Sequence, residues 1–338
     1  MSHLIDSYKL ISSKVKKKKF SVRKPNYGEA IEQLTQVMNS FKREGNGLYA
    51  AFCCLAIGRC EQAIKLSSSA EASCYIDSGY LIWENEIQSF EDDLISFEEN
   101  IPEAINCYLL AIKVYQNYKR FSIMATLYYE MASILKKLSK YEQGAEYFQK
   151  AAELQRTESP ISSIYSLKEA CYCKIMESDY KGACDYLDLI ITIINETTPL
   201  ETKINLNNST GSTNNNNSLS QINNNGIGDA QLSNISLSLF PYLLIETRVS
   251  LVLLLILQDS FLKSQAQLSK LVNDINDQEG QSTDHTEETV SLLNNLLISC
   301  ERKEINDLQA IQRELWSSLN DIQNDILQRI WVANKILI

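Results

Sequence analysis

Apolar residues recur every three to four positions along most of this 338-residue chain, which is the spacing of one face of an α-helix. A small residue is repeatedly followed four positions later by a large apolar residue and seven positions later by another small or branched one, with a loose period of about 38 residues. This arrangement predicts antiparallel helix pairs, because small residues let two helices approach and large ones fill the next groove. The five sets are Ala30/Leu34/Val37, Ala72/Ile76/Gly79, Ala104/Tyr108/Ala111, Gly144/Phe148/Ala151 and Ala183/Leu187/Ile190.

Residues 124–155 show the repeat most clearly. Their small and large residues fall where a tetratricopeptide repeat places its packing residues, and residues 139–141 are predicted to turn the chain between two helices. Residues 178–190 repeat the second half of this unit. We therefore predict an all-α fold, a tetratricopeptide-like α-solenoid of antiparallel helix pairs with a long disordered insert.

The periodic pattern is interrupted twice. Residues 195–235 are rich in Asn, Ser and Gly without an apolar period, so we predict a disordered insert there. A polar stretch at about 273–289 predicts an acidic loop. The chain is thus divided into helical repeats over 1–194, the insert, and C-terminal helices over 236–338 that complete the solenoid. Apolar residues from Leu308 to Ile330 predict one helix or a close pair near the end of the chain.

The most apolar stretch, residues 249–257, is too short for a transmembrane helix. It holds nine residues interrupted by Ser250, whereas a span needs about 20. Pro241, Glu246 and Arg248 prevent its extension upstream. A helix buried on all sides is therefore predicted, with no membrane span.

Chemistry-bearing residues form no recognisable catalytic or metal-binding pattern in the sequence. Of the two histidines, His3 lies near the N-terminus and His285 lies in the predicted acidic loop at about 273–289. The cysteine pairs at 53–54 and 171/173 lack zinc-site spacing, and no phosphate-binding loop is present. Nine cysteines without a signal peptide indicate reduced thiols in the cytosol. We predict no enzymatic activity, no metal and no cofactor.

Charge is concentrated in two stretches of a chain whose formal net charge is -10. Residues 84–103 hold eight acids and no base, which predicts either a solvated helix face or a docking surface for a basic partner. Residues 14–24 hold seven bases, more than the one or two that a helix dipole accounts for. We predict that they bind a partner, while their composition also allows a nuclear import signal; the acidic remainder argues against nucleic acid. The seven bases are Lys14, Lys16, Lys17, Lys18, Lys19, Arg23 and Lys24.

Four stretches together resemble the family of the 40-kDa huntingtin-associated proteins, also called factor VIII intron-22 proteins. They are residues 8–26, 48–64, 246–258 and 308–316, in the family's order and at both ends of the chain. The resemblance implies a non-enzymatic cytoplasmic protein that binds huntingtin, a very large HEAT-repeat protein, as a 1:1 heterodimer lodged between its two arms. It also implies recruitment of huntingtin to early endosomes through a Rab GTPase, with altered endosome motility. The basic segment would then meet an acidic surface of the partner or of this chain.

Other classes of protein share the helical-repeat pattern. One alternative is an adaptor of the soluble NSF attachment protein type, which acts on vesicle-fusion complexes. A second is a co-chaperone that clamps acidic peptides, for which Lys168 and Lys174 are present without the usual Asn and Arg. Trp83, Trp316 and Trp331 are candidates either for the core or for interface anchors.

Overall fold

A computed structural model describes residues 2–15, 25–65, 67–92, 94, 98–197, 242–276 and 284–336. These residues form fourteen α-helices and one short 3₁₀ turn, Trp316–Ser318, and none of them lies in a β-strand. The prediction of an all-α, tetratricopeptide-like solenoid is confirmed. The helices are α1 Ser2–Val15, α2 Tyr27–Arg43, α3 Gly47–Ile64, α4 Ser68–Glu91, α5 Ile101–Asn117, α6 Phe121–Lys137, α7 Tyr141–Gln155, α8 Pro160–Met176, α9 Tyr180–Thr197, α10 Tyr242–Leu257, α11 Phe261–Asn276, α12 Asp284–Arg302, α13 Ile305–Leu315 and α14 Asp321–Ile336.

The chain divides into two compact units, Met1–Ala151 and Ala152–Ile338. In the first unit the successive helices pack in pairs, α1 on α2, α2 on α3, α3 on α4, α4 on α5 and α5 on α6. In the second unit α8 packs on α9, and α10 packs against α9, α11, α12 and α14. The predicted domain boundaries at 194 and 236 stay a prediction, because residues 198–241 lie outside the part of the chain that the structure describes.

The leucine-rich helix α10 is at the centre of the second unit, as the sequence predicts. Its residues from Leu251 to Ile256 are all buried, and their cluster includes side chains of α8, α9 and α11 to α14. Among the helices described, none is long and apolar enough to cross a membrane. The end of the chain forms the close pair of helices, α13 and α14.

Two predicted segments are more helical at their edges than the sequence indicates. The insert is predicted from residue 195, but α9 runs to Thr197, so its first three residues are helical; the rest of the predicted insert lies outside the described residues. Both ends of the acidic loop predicted at about 273–289 are helical, because α11 continues to Asn276 and α12 begins at Asp284. Glu287 and Glu288 lie near the start of α12, where the helix dipole favours negative charge.

Small residues of the repeat allow neighbouring helices of the first unit to touch. A Cβ atom added to Gly58 would lie 2.6 Å from Cε1 of Tyr75, and one added to Gly79 would lie 2.5 Å from Cδ2 of Tyr108. Both tyrosines are almost fully buried. The glycines therefore fix how closely α3 approaches α4 and how closely α4 approaches α5.

Six turns between helices share one backbone geometry. In the turn predicted at residues 139–141, the Ser139 N–H donates to the carbonyl of Lys136 at 3.0 Å and the Lys140 N–H donates to that of Leu135 at 2.8 Å. This is the Schellman pattern, in which one residue adopts the left-handed conformation. The left-handed residue is a glycine in one of these turns and a residue other than glycine in the other five. The left-handed residues are Gly45, Lys119, Ser139, Ser178, Asp259 and Lys303.

Replacing Ser139 by Gly is expected to raise the free energy of unfolding by about 1 kcal/mol. Ser139 is exposed and has φ of 59°, a conformation that costs an L-residue about 1–2 kcal/mol and glycine almost nothing. Urea unfolding should show a higher midpoint at an unchanged slope. The matched control is Ser133→Gly in the middle of α6, which should lose about 0.5–1 kcal/mol. Destabilisation by both changes would refute strain at the turn.

Candidate interaction surfaces

Only one of the seven basic residues predicted to bind a partner falls in the described part of the chain. Lys14 is exposed in the last turn of α1, where its charge also complements the helix dipole. The role of the segment in binding therefore stays a prediction. The residues outside the described ranges are Lys16, Lys17, Lys18, Lys19, Arg23 and Lys24.

The acidic stretch at residues 84–103 is partly structural. Glu86 is buried and its Oε1 accepts a hydrogen bond from Asn100 Nδ2 at 2.8 Å, which links the end of α4 to the start of α5. Two exposed apolar side chains, Phe90 and Leu94, lie within the same stretch. Other acids of the stretch hold it against the end of α6, through the ion pairs Glu91–Lys137 and Glu98–Lys140, each of 2.6 Å.

The second unit contains a pocket of about 650 Å³ that is not predicted from the sequence. Its walls come from α10, α11, the start of α12 and the 3₁₀ turn with the residues that follow it. The buried apolar side chains of Val249, Leu271 and Ile275 line it, while Glu246 and Asn320 contribute polar groups. The pocket therefore combines apolar surface with polar groups at fixed positions.

Hydrogen bonds fix the polar side of this pocket. Glu246 Oε2 accepts from Lys168 Nζ at 2.6 Å, and its Oε1 accepts from Asn320 Nδ2 at 2.8 Å. Gln323 Nε2 donates to the main-chain carbonyl of Glu246 at 3.0 Å and to Ser250 Oγ at 3.1 Å. These bonds join α8, α10 and the start of α14, so the polar side is organised before any ligand binds.

The three tryptophans differ in their surroundings. Trp83 is buried in α4 and Trp331 is half-buried in α14, whereas Trp316 is 49% exposed on the 3₁₀ turn beside the pocket. Tyr242, which lines the pocket, is also exposed, and its hydroxyl is hydrogen-bonded to that of Tyr165. Trp83 therefore belongs to the core, and an anchor role for Trp316, which is exposed, stays a prediction.

The lysines considered for a peptide clamp are both paired within the second unit. Lys168 contacts Glu246 at 2.6 Å, and Lys174 Nζ lies 3.0 Å from Asp179 Oδ2. A clamp for acidic peptides needs cations directed at the ligand. The geometry therefore gives the co-chaperone alternative no support.

Burial makes the thiols poor nucleophiles and poor metal ligands. All nine cysteines are free, and eight are buried. Desolvation raises the pKa of Cys53, Cys54, Cys74 and Cys300 to about 12 in each case. Within the ranges that the structure covers, no three His, Cys, Asp or Glu side chains are grouped to hold a metal ion. The thiols serve as small apolar groups of the core.

Native thiols are expected to react slowly with Ellman's reagent at about pH 8. A pKa of about 12 leaves about one thiolate in ten thousand at that pH, against about one in four for an unperturbed thiol. Less than one equivalent should react in the first minutes, with half-buried Cys74 first, and all nine should react in concentrated guanidinium. Several fast equivalents from the native chain would show that the thiols are not shielded.

Comparison with the sequences of known proteins identifies the family of this chain. The sequence model of the soluble NSF attachment protein (SNAP) family matches residues 7–201, more than half of the chain. The chain therefore belongs to the soluble NSF attachment protein family.

The predicted resemblance to the huntingtin-associated proteins is also confirmed. The chain is 26% identical to the 40-kDa huntingtin-associated protein of Mus musculus over 350 aligned residues, covering 96% of this chain and 90% of that protein. Identity to the rat protein of that name is 28% over 178 residues, covering 52% and 46% of the two chains. Human alpha-soluble NSF attachment protein is 29% identical over 171 residues, covering 48% and 51%.

Proposed function

We propose that this chain is a non-enzymatic adaptor that binds huntingtin as a 1:1 heterodimer, lodged between the two arms of that partner. The observation that carries the proposal is the extent of the similarity to the mouse 40-kDa huntingtin-associated protein, 96% of this chain and 90% of the relative. The match to the SNAP family model ends at residue 201, within the second unit, whereas this similarity covers 96% of the chain. The similarity therefore extends over almost the whole of both chains rather than one repeat segment.

The surface of the chain is compatible with burial against a large partner. Large apolar side chains are exposed on both units, among them Tyr80 and Phe121 in the first and Tyr242 and Trp316 in the second. Aromatic side chains are enriched at protein interfaces, and exposed apolar groups favour burial there. In cells, the complex would be cytoplasmic and would reach early endosomes through a Rab GTPase, where it changes endosome motility.

A second candidate function is an adaptor on vesicle-fusion complexes. The match to the SNAP family model and the 29% identity to human alpha-soluble NSF attachment protein favour it. The identity to the human protein covers about half of each chain, however. The second candidate function therefore has narrower support than the huntingtin proposal, which has a similarity over almost the whole chain.

The two candidates are separated by purifying the tagged chain from its own cells and then reconstituting the complex from purified components. A 1:1 complex with huntingtin, measured by native mass spectrometry, is expected. Binding to an assembled SNARE bundle without huntingtin would favour the second candidate. Binding to neither would refute both.

The same reconstituted complex tests the basic segment. Replacing Lys16, Lys17, Lys18 and Lys19 by Gln is expected to weaken binding and to lower its sensitivity to salt. The control changes four exposed lysines elsewhere. Unchanged affinity and unchanged salt sensitivity in the first variant would remove the segment from the interface. The control positions are Lys113, Lys181, Lys263 and Lys270.

A further inference from the structure

We propose that the pocket of the second unit is a docking site for a segment of another protein that inserts one large apolar side chain flanked by lysine or arginine. The inference goes beyond the proposed function, because it describes the chemistry of the segment and holds for whichever protein carries it. Four features of the pocket lead to it: its volume, its hydrogen-bonded polar side, its exposed aromatic residues and the charge around it.

The volume and the lining suit one bulky apolar group. Ligand pockets in proteins commonly measure about 300–1,000 Å³, and this one measures about 650 Å³. Val249 and Ile275 are 6% exposed and Leu271 is fully buried, so the floor consists of side chains fixed in the core. A leucine, phenylalanine or tryptophan side chain that enters the pocket would contact these three residues and would no longer be exposed to water.

The polar side of the pocket suits the main chain of a bound segment. Glu246 and Asn320 are held by the hydrogen bonds described above, and Ser317 and Ser318 line the wall formed by the 3₁₀ turn. Asn324 Nδ2 donates to the carbonyl of Trp316 at 3.1 Å, which fixes that turn on α14. Binding therefore requires little reorganisation of this side of the pocket.

Exposed aromatic residues border the pocket on two sides. Trp316 is 49% exposed and directly precedes the lining residue Ser317, while Tyr242 is 52% exposed and lines the pocket itself. Trp and Tyr are the residue types that most often dominate binding energy at interfaces. A segment bound in the pocket would cover both aromatic side chains and shield them from water.

Charge around the pocket selects a cationic segment. Glu287 and Glu288 directly precede a lining residue of α12, and Glu314 and Asp321 lie on either side of the wall formed by the 3₁₀ turn. All four acids are exposed; among the described bases, Arg313 precedes Glu314 in the chain, and Lys168 on the polar side of the pocket is paired with Glu246. The whole second unit holds 13 basic and 24 acidic residues. Because like charges repel across an interface, lysine or arginine should flank the apolar anchor.

The test uses a random 16-residue peptide library displayed on phage and selected on the full chain. Enriched peptides are expected to share one large apolar residue with lysine or arginine on both sides. Their synthetic versions are then titrated by fluorescence anisotropy against the wild-type chain and four variants. We expect Ser318→Trp, which fills the pocket, and Trp316→Ala each to weaken binding about tenfold or more. The charge variant Glu287→Gln/Glu314→Gln should weaken it about threefold and lower its salt dependence.

The matched control is Tyr118→Ala, which removes an exposed aromatic side chain from the first unit and should leave binding unchanged. Circular dichroism and urea unfolding establish that each variant is folded, and Trp316→Ala remains informative if Ser318→Trp is not. Three results would overturn the proposal: no enriched peptide, enriched peptides without basic residues, or equal binding to the pocket variants. Self-association of the chain that depends on Trp316, seen by sedimentation, would also overturn it, because a second copy would then cover the pocket.

Discussion

Replacing Asp274 by Ala is expected to lower the free energy of unfolding by about 3 kcal/mol. Arg248 lies within the leucine-rich helix α10 and is only 8% exposed. Its Nε donates to Asp274 Oδ2 of α11, and its Nη1 donates to Gln267 Oε1 at 3.1 Å. Without the Asp274 carboxylate, the guanidinium stays buried but loses its hydrogen-bonded counter-charge, which is the costly state of a buried ion pair.

Urea unfolding of three further variants separates this cause from a general loss of packing. Arg248→Met combined with Asp274→Leu removes both charges and should recover most of the loss, so the two sites should be strongly coupled in a double-mutant cycle. Glu91→Gln breaks the exposed Glu91–Lys137 pair, in which each side chain is about half exposed, and should cost less than about 1 kcal/mol. A loss below about 1 kcal/mol for Asp274→Ala would show that water still reaches Arg248.

The helical framework could be predicted from sequence because its causes are local. The small and large residues at fixed spacing give the pairs α4/α5 and α6/α7, and an uninterrupted apolar run gives the buried helix α10. The first helix shows the limit of such periodicity. Helical spacing of apolar residues is evident from Tyr8 onwards, yet α1 begins at Ser2, because Leu4 and Ile5 pack against the cluster of the first unit.

The pocket could not be predicted because it depends on contacts between residues distant in sequence. Lys168 and Glu246, which fix its polar side, are 78 positions apart, with residues 198–241 between them. The same reason explains the acidic stretch, since Glu91 is paired with Lys137, which lies 46 positions later. Sequence composition shows that charges are present, but it does not show which of them are neutralised by another helix.

Replacing Gly79 by Ala is expected to lower the free energy of unfolding by about 2 kcal/mol. The new methyl group would lie 2.5 Å from Cδ2 and 2.7 Å from Cε2 of Tyr108, closer than side-chain atoms approach. The Tyr108 ring cannot readily move, because it is fully buried and its hydroxyl donates to Glu130 Oε1 at 2.6 Å. Overpacking of a core costs about 1–3 kcal/mol or more, and the higher helix propensity of alanine returns about 1 kcal/mol.

Two further variants test whether the clash with Tyr108 is the cause of the loss at Gly79. Gly47→Ala is the matched control, since the nearest atom to its new methyl group is the Leu81 carbonyl oxygen at 3.9 Å. It should unfold at the wild-type urea concentration or slightly above it. Tyr108→Leu, which shrinks the facing side chain, should make the Gly79→Ala change less harmful when the two are combined. Equal effects of the alanine substitutions at Gly79 and Gly47 would mean that α4 and α5 can separate at little cost, and the glycine would then not set their distance.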